Sequence, residues 1–433
     1  MERFKNNLKA DFTGGISAAI IALPLAMGFG VSIFAPLGPD YSATGALAGM
    51  YGAIFTGIFA ALFGGTPSQI TGPTGPMSVV LSATVASLMK FQLEIGNEIN
   101  IPLILTLTFF AVCMGGLVQI LIGLLRAGSA IKFIPYPVIA GFMNGIAVII
   151  FLGQIETFFG ITDGKFFESF SLIWLINSSN KLILLVGTMT VGIIILSGKL
   201  VKKVPSALVG LLLGSFCYFT LGHFFNDNLL QFKNNPFIIG AIPSGFPLPK
   251  NIHEFSLILK EIDISMLKIL IPASLSLGIL GSIDSLLTSL VADVETKTRH
   301  NSNQELIGQG IGNIVASLFG GVSGAGATVR TLVNVKSGGR TKISGIIHGL
   351  FLLAVLLFLG PFAGWIPMSV LAGILIVTSY NMINSWSLKL VSKKTAKKDF
   401  FVVIVVTTVT VVVDLMVAVA IGFFVATALL LYE

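Results

Sequence analysis

Eleven stretches of predominantly apolar residues, each near the length that crosses a bilayer, decide what this chain can fold into. They occupy residues 14–34, 45–63, 101–125, 137–153, 182–197, 206–221, 267–290, 343–359, 368–383, 400–413 and 415–431. A helix needs about 20 apolar residues to span the hydrocarbon core. Shorter or glycine-broken apolar segments at 75–88, 305–319 and 327–335, too short to cross alone, bring the total to fourteen. Charged residues make up 10% of the chain, against about 25% in soluble domains. A soluble fold is excluded, and the fold class is all-α integral membrane. Residues 1–12 are polar and basic, and the first apolar run continues past Pro24 to Phe34. That run outlasts the short apolar core of a cleaved signal peptide, so it reads as a retained span.

The basic residues orient these segments. Arg3, Lys5 and Lys9 precede the first run, and Arg126 and Lys132 follow the fourth segment. Lys199, Lys202 and Lys203 follow the sixth, Lys297 and Arg299 the eighth, and Lys336, Arg340 and Lys342 the tenth. Lys389, Lys393, Lys394, Lys397 and Lys398 follow the twelfth. With fourteen alternating segments all of these fall on one side, while Asp40, Glu94, Glu98, Asp163 and Glu168 fall on the other. Positive residues stay inside, so both termini read as cytoplasmic and the site of residence as the cell membrane. The net charge of +7 is thus a topology signal in a lipid bilayer, with no single basic stripe for nucleic acid.

Two internal echoes divide the chain. Ala60-Ala61-Leu62-Phe63-Gly64-Gly65 returns as Ala316-Ser317-Leu318-Phe319-Gly320-Gly321. Ile134-Pro135-Tyr136-Pro137-Val138-Ile139-Ala140-Gly141 returns as Ile366-Pro367-Met368-Ser369-Val370-Leu371-Ala372-Gly373. Their common order predicts two repeats of seven segments, and an odd number inverts the second relative to the first, as in secondary transporters. The division runs as a cytoplasmic N-terminus at 1–12, a first repeat at 13–224, an extracytoplasmic linker at 225–262 and a second repeat at 263–433. In each half the Phe-Gly-Gly element leads into a polar, glycine-rich stretch, 66–76 and 322–330. Non-helical backbone at membrane depth lines a cavity or is buried in protein. Each stretch opens a short helix, giving half-helices at segments 3 and 10 whose N-termini carry about half a positive charge and form an anion cradle.

Asp284 lies well inside a long apolar span, in Leu280-Gly281-Ser282-Ile283-Asp284-Ser285-Leu286-Leu287-Thr288. A carboxylate there costs about 3 kcal/mol or more unless it is paired or binds a cation. Thr288 is one turn away on the same face. With carbonyls freed near Gly326 and Thr328 it completes a set of hard oxygen ligands suited to Na+; a proton on Asp284, or a purely structural pairing, is the alternative. Arg330 lies just inside the second short helix, as a fixed charge for an anion or as a neutraliser of Asp284. Asp414 reads as a turn residue, and 296–305 as a solvated loop. The two cysteines, Cys113 and Cys217, and the histidines 223, 253, 300 and 348 show no metal-ligand spacing. No phosphate-binding Gly-x-x-x-x-Gly-Lys-Ser/Thr loop is present, so neither an enzyme nor an ATP-driven pump is indicated.

The strings Phe-Gly-Gly-Thr-Pro and Pro-Thr-Gly-Pro-Met in 60–77 resemble the SulP family of anion permeases. So do Ile-Asp-Ser-Leu-Leu-Thr-Ser, His-Asn-Ser-Asn, Gly-Gln-Gly-Ile-Gly-Asn, Gly-Ala-Gly-Ala-Thr and Ser-Gly-Gly-Arg-Thr in 280–341. The likeness runs through nearly the whole chain and is closest to the bicarbonate carriers of that family. It implies a core and a gate domain, elevator-type alternating access, and a substrate held between segments 3 and 10. Carried over residue by residue, it places Na+ on Asp284, Thr288, Gly326 and Thr328, and bicarbonate on Thr74 and Ala327. Arg330 departs from the small residue of the bicarbonate carriers, which keeps sulfate or another anion, with proton coupling, in play. An anion channel or membrane sensor is the reading of a different class. The cytoplasmic STAS domain usual in the family is absent from this chain, and the full-length form is expected to be a homodimer.

Overall fold

The computed structural model describes residues 2–94, 96, 98–129, 135–162, 178–200, 204–233, 235–243, 245–383, 387, 397–412 and 421. It is all-helical apart from one two-stranded ladder. The first half contains α1 (Glu2–Phe34), α2 (Ser42–Phe63), α3 (Gly75–Glu94), α4 (Ile101–Leu124), α5 (Tyr136–Gly153), α6 (Ile155–Phe159), α7 (Lys181–Leu200) and α8 (Ser206–Phe225). The second contains α9 (Asn251–Glu261), α10 (Ile264–Thr296), α11 (Ser302–Leu318), α12 (Thr328–Lys336), α13 (Lys342–Ala363), α14 (Met368–Met382) and α15 (Lys397–Val412). The strands β1 (Thr71–Gly72) and β2 (Ala325–Gly326) run antiparallel, with Thr71 opposite Gly326 and Gly72 opposite Ala325. Among the described residues nine helical spans are long and apolar enough to cross a bilayer. The last apolar run, 415–431, apart from residue 421, lies outside the described residues, as do Asp414, Ile134 and Lys132.

Segment 3 corrects the expectation of two half-helices. α3 is 20 residues long, roughly 30 Å at 1.5 Å per residue. Its apolar stretch ends near Leu88, and the helix runs on through an exposed polar turn joined by Lys90 and Glu94 at 3.7 Å. Of the two, only α12, with nine residues, is a half-length helix. The first helix also starts earlier than its apolar run. Asp11 explains this: it is buried, and it accepts hydrogen bonds from the Arg340 and Thr341 amides at 2.7 and 3.0 Å and from the Thr341 hydroxyl at 2.5 Å. The N-terminal turns of α1 are thereby tied to the start of α13.

Both echoes mark helix joints, and those of the second match in conformation. Phe63 and Leu318 end α2 and α11, followed by Gly64 in an extended conformation and Gly320 at φ +77°. Pro135 and Pro367 precede α5 and α14 with nearly the same extended backbone, φ −62°, ψ 137° and φ −71°, ψ 139°. The chain before α9 is strapped to the second of these joints, where Met368 donates its N–H to Phe237 O at 2.8 Å and Ile239 to Ile366 O at 3.1 Å.

The helices pack in two groups. α1, α2, α4, α10, α11 and α13 form one, and α5, α7, α8, α14 and α15 the other; α1 against α14 and α3 against α5 join them. Small residues let backbones touch in the first group. A Cβ on Gly30 would lie 2.0 Å from Gly45 O, and one on Gly310 2.4 Å from Gly116 O. Lipid tails are as apolar as leucine, so close packing of small residues is what holds membrane helices together. Outward-facing Leu124, Leu212, Phe216 and Phe358 remain exposed.

Candidate functional site: an oxygen cluster beside a buried arginine

The ladder of β1 and β2 sits where the two glycine-rich stretches meet, immediately before α3 and α12. Besides the strand pairing, Ala327 donates its N–H to Ile70 O at 2.9 Å and Ile70 donates its own to the Thr331 hydroxyl at 3.0 Å. Backbone at this depth has no water to bond, so every donor here needs a protein partner. The ladder satisfies them and fixes where α12 begins.

α10 supplies the third wall. The Thr288 hydroxyl donates to Gly326 O at 2.9 Å and lies 2.8 Å from the Thr328 hydroxyl, and the Gly326 N–H donates to the Ser285 hydroxyl at 3.0 Å. Three of the four cation candidates, Thr288, Gly326 and Thr328, are therefore in direct contact. Asp284 stands one turn earlier on the same helix face. Its Oδ2 is buried without a hydrogen-bond partner. Asp284 borders a cavity of about 20 Å³ whose other lining is apolar, including Pro76, Val138, Phe142 and Leu287. Such a space holds about one water-sized body.

Arg330 and Thr74 complete the arrangement. Arg330 is 2% exposed, donates from Nη2 to Pro73 O, and leaves Nη1 buried without a partner. Gly72 makes room for it, since a Cβ there would lie 2.5 Å from Nη1. No salt bridge joins Arg330 to Asp284, although the two feel each other's charge. The Thr74 hydroxyl, close enough to influence Asp284, is also buried and without a partner. Ala327 has already committed its N–H to Ile70, so it offers an anion its methyl group and the N-terminus of α12, whose first N–H groups have no intrahelical acceptor.

Oxygens from one carboxylate, two hydroxyls and a freed carbonyl fit a hard monovalent cation, which transporters hold on unwound backbone of this kind. A free guanidinium nitrogen, a free hydroxyl and a helix N-terminus fit a small anion beside it. Among the described residues no group of three His, Cys, Asp or Glu side chains comes together.

Glu305 corrects the reading of 296–305 as a solvated loop. Residues 297–299 and 301 are exposed, but Glu305 is 1% exposed. Its Oε2 accepts from the Gly65 and Thr66 amides at 2.9 and 2.8 Å, and its Oε1 from Gln69 Nε2 and Gln309 Nε2 at 2.8 and 2.7 Å. Sequence reasoning missed this network. Its trace was there: Glu305, Gln309 and Asn313 recur at i, i+4 and i+8 and so share one face of α11.

Comparison with known proteins follows the same lines. The model of the sulfate permease family matches residues 8–406. The bicarbonate transporter BicA of Synechocystis sp. is 41% identical over 98% of this chain and 70% of its own length. The putative sulfate transporter YvdB of Bacillus subtilis is 33% identical over 98% of this chain and 74% of its own length. Among solved structures, the transmembrane domain of a cyanobacterial BicA superposes with a TM-score of 0.81 at 39% identity, covering 95% of this chain and 97% of that one. SLC26A9 gives a TM-score of 0.81 at 19% identity, over 99% of this chain and 66% of that one, a likeness of fold.

Proposed function

The chain belongs to the sulfate permease family of anion transporters, and we propose that it is a secondary carrier that couples bicarbonate uptake to sodium across a bacterial cell membrane. The observation that carries this reading is the free buried Oδ2 of Asp284, one helical turn from Thr288, whose hydroxyl joins the Gly326 and Thr328 oxygens, together with the free buried Nη1 of Arg330 and the free Thr74 hydroxyl. An unpaired buried carboxylate costs several kcal/mol, which makes the arrangement hard to understand as scaffolding alone. Sodium held by Asp284, Thr288, Gly326 and Thr328 would cancel the carboxylate charge and leave the site net positive. Arg330, Thr74 and the α12 N-terminus at Ala327 would then hold the anion, with the guanidinium donating and the threonine hydroxyl fixing orientation.

The rest of the mechanism follows from the packing. The site lies on the α3, α10 and α12 side, facing α5 of the second helix group. The first group is read as the core, moving in elevator fashion against the second as gate. The matching Pro135 and Pro367 joints at the second echo support two inverted seven-segment repeats, 13–224 and 263–433, with 225–262 as extracytoplasmic linker and both termini cytoplasmic. In its full-length form the carrier is proposed to be a homodimer.

A second reading has its own observation. Arg330 is a permanent cation with one donor free, and it could take sulfate or another anion without sodium, with a proton as the coupled ion. Proteoliposomes loaded side by side with labelled bicarbonate and labelled sulfate at alkaline pH separate the two. Saturable bicarbonate uptake that excess sulfate leaves intact supports the first, and sulfate uptake that bicarbonate cannot displace supports the second.

A further inference from the structure

Resting on the sodium-coupled reading, we infer that Glu305, which touches neither ion, is the positioning residue that sets the sodium affinity of the site. Four N–H donors converge on its carboxylate, from Gly65, Thr66, Gln69 and Gln309. Only an acceptor-only group with two oxygens can serve all four. An amide at this position would turn an NH2 toward one donor pair.

The carboxylate grips the neighbours of two sodium ligands. Gln69, held through Nε2, accepts from the Ser289 hydroxyl through Oε1 at 2.8 Å. Ser289 adjoins Thr288 and also lies 2.8 Å from the Thr66 hydroxyl, whose own amide Glu305 holds. On its other side the Gln69 amide backs Gly326, where a Cβ would come within 2.4 Å of Nε2. Gln309 carries the clamp onward by donating to the Thr71 hydroxyl at 2.7 Å, and Thr71 pairs with Gly326 in the ladder. One side chain thus fixes, through Gln69 and Gln309, the placement of the Thr288 hydroxyl and the Gly326 carbonyl.

The same helix face treats the other loop alike. Asn313 donates to Gly324 O at 3.0 Å and accepts from Gly324 N at 2.8 Å. α11 is a spine that holds both glycine-rich stretches, but only the Glu305 end carries a charge. Charge-assisted hydrogen bonds are shorter and roughly twice as strong as neutral ones, and outer partners of this kind typically change metal affinity by 10–100-fold when removed.

The test uses the reconstituted full chain and two readouts, sodium titration of bicarbonate uptake and the rise in thermal unfolding midpoint with NaCl relative to choline chloride. For Glu305→Gln both sodium titrations are expected to move about tenfold or more toward higher concentration, while maximal uptake and the bicarbonate half-saturation at saturating sodium stay near wild type. The double change Glu305→Gln with Gln69→Glu is expected to restore both titrations in part. The amide placed at 305 then donates to the carboxylate placed at 69 and its oxygen keeps the Gly65 and Thr66 amides, while the Gln309 arm of the clamp still meets an NH2. If Glu305→Gln does not fold, Glu305→Asp, which keeps the charge and shortens the reach, is read by the same titrations with the same expected shift. Unchanged sodium titrations in a folded variant overturn the inference. So does a loss of rate and stability with neither titration moved. Wild-type uptake and stability that both ignore sodium would instead overturn the sodium-coupled reading itself.

Discussion

Asp284 and Arg330 form no direct salt bridge, and each keeps a buried polar atom free, Oδ2 of the one and Nη1 of the other. A closed ion pair would satisfy both and leave nothing for a ligand. Held apart, each retains its capacity for an ion of opposite sign. Several consequences can be measured.

Asp284→Asn removes the charge while keeping the shape. Sodium-stimulated uptake is expected to fall at least tenfold, and the gain in thermal stability with NaCl to vanish. Both are read on the purified protein against choline chloride. Uptake that still rises with sodium would move the ion elsewhere.

Arg330→Ala deletes a charge-assisted donor, a contact worth about 1.5–3 kcal/mol. The bicarbonate half-saturation is expected to rise roughly 10–100-fold at saturating sodium. Arg330→Lys is expected to recover part of this, because a lysine keeps the charge but not the planar fork that reaches Pro73 O.

Gly326→Ala tests the ladder. The added methyl would meet Gln69 Nε2 at 2.4 Å and Ser285 Cα at 3.1 Å. Overpacking of this kind costs about 1–3 kcal/mol, so a lowered unfolding midpoint together with weakened sodium binding is expected.

Asp11→Ala separates stability from transport. It strips two amides and a hydroxyl at the start of α13 of their acceptor, at a cost of about 1–3 kcal/mol. The unfolding midpoint is expected to drop, while the sodium and bicarbonate half-saturations of the remaining folded protein stay at wild-type values.

Much of this was legible from residues alone. Hydropathy located the described spans to within a few residues at most ends, because lipid selects on composition over a fixed length. Asp284 stood out as a carboxylate in an apolar span, and the polar glycine-rich stretches stood out as backbone that cannot face lipid. The length of α3 did not, since a helix continues past the membrane wherever a polar turn supports it, as Lys90 and Glu94 do. Glu305 was hidden because its partners Gly65, Thr66 and Gln69 lie some 240 positions away, and a charged residue near a helix start reads as solvated. The two readings of Arg330 stayed open because a sequence does not say which donors are already spent. The structure shows Nη2 committed to Pro73 O and Nη1 free.

The most direct test of coupling sets equal bicarbonate inside and outside proteoliposomes and imposes only an inward sodium gradient. Labelled bicarbonate should then accumulate above its external concentration, and Asp284→Asn should abolish that accumulation. Bicarbonate that merely equilibrates, whatever the sodium gradient, would contradict a coupled carrier built on Asp284.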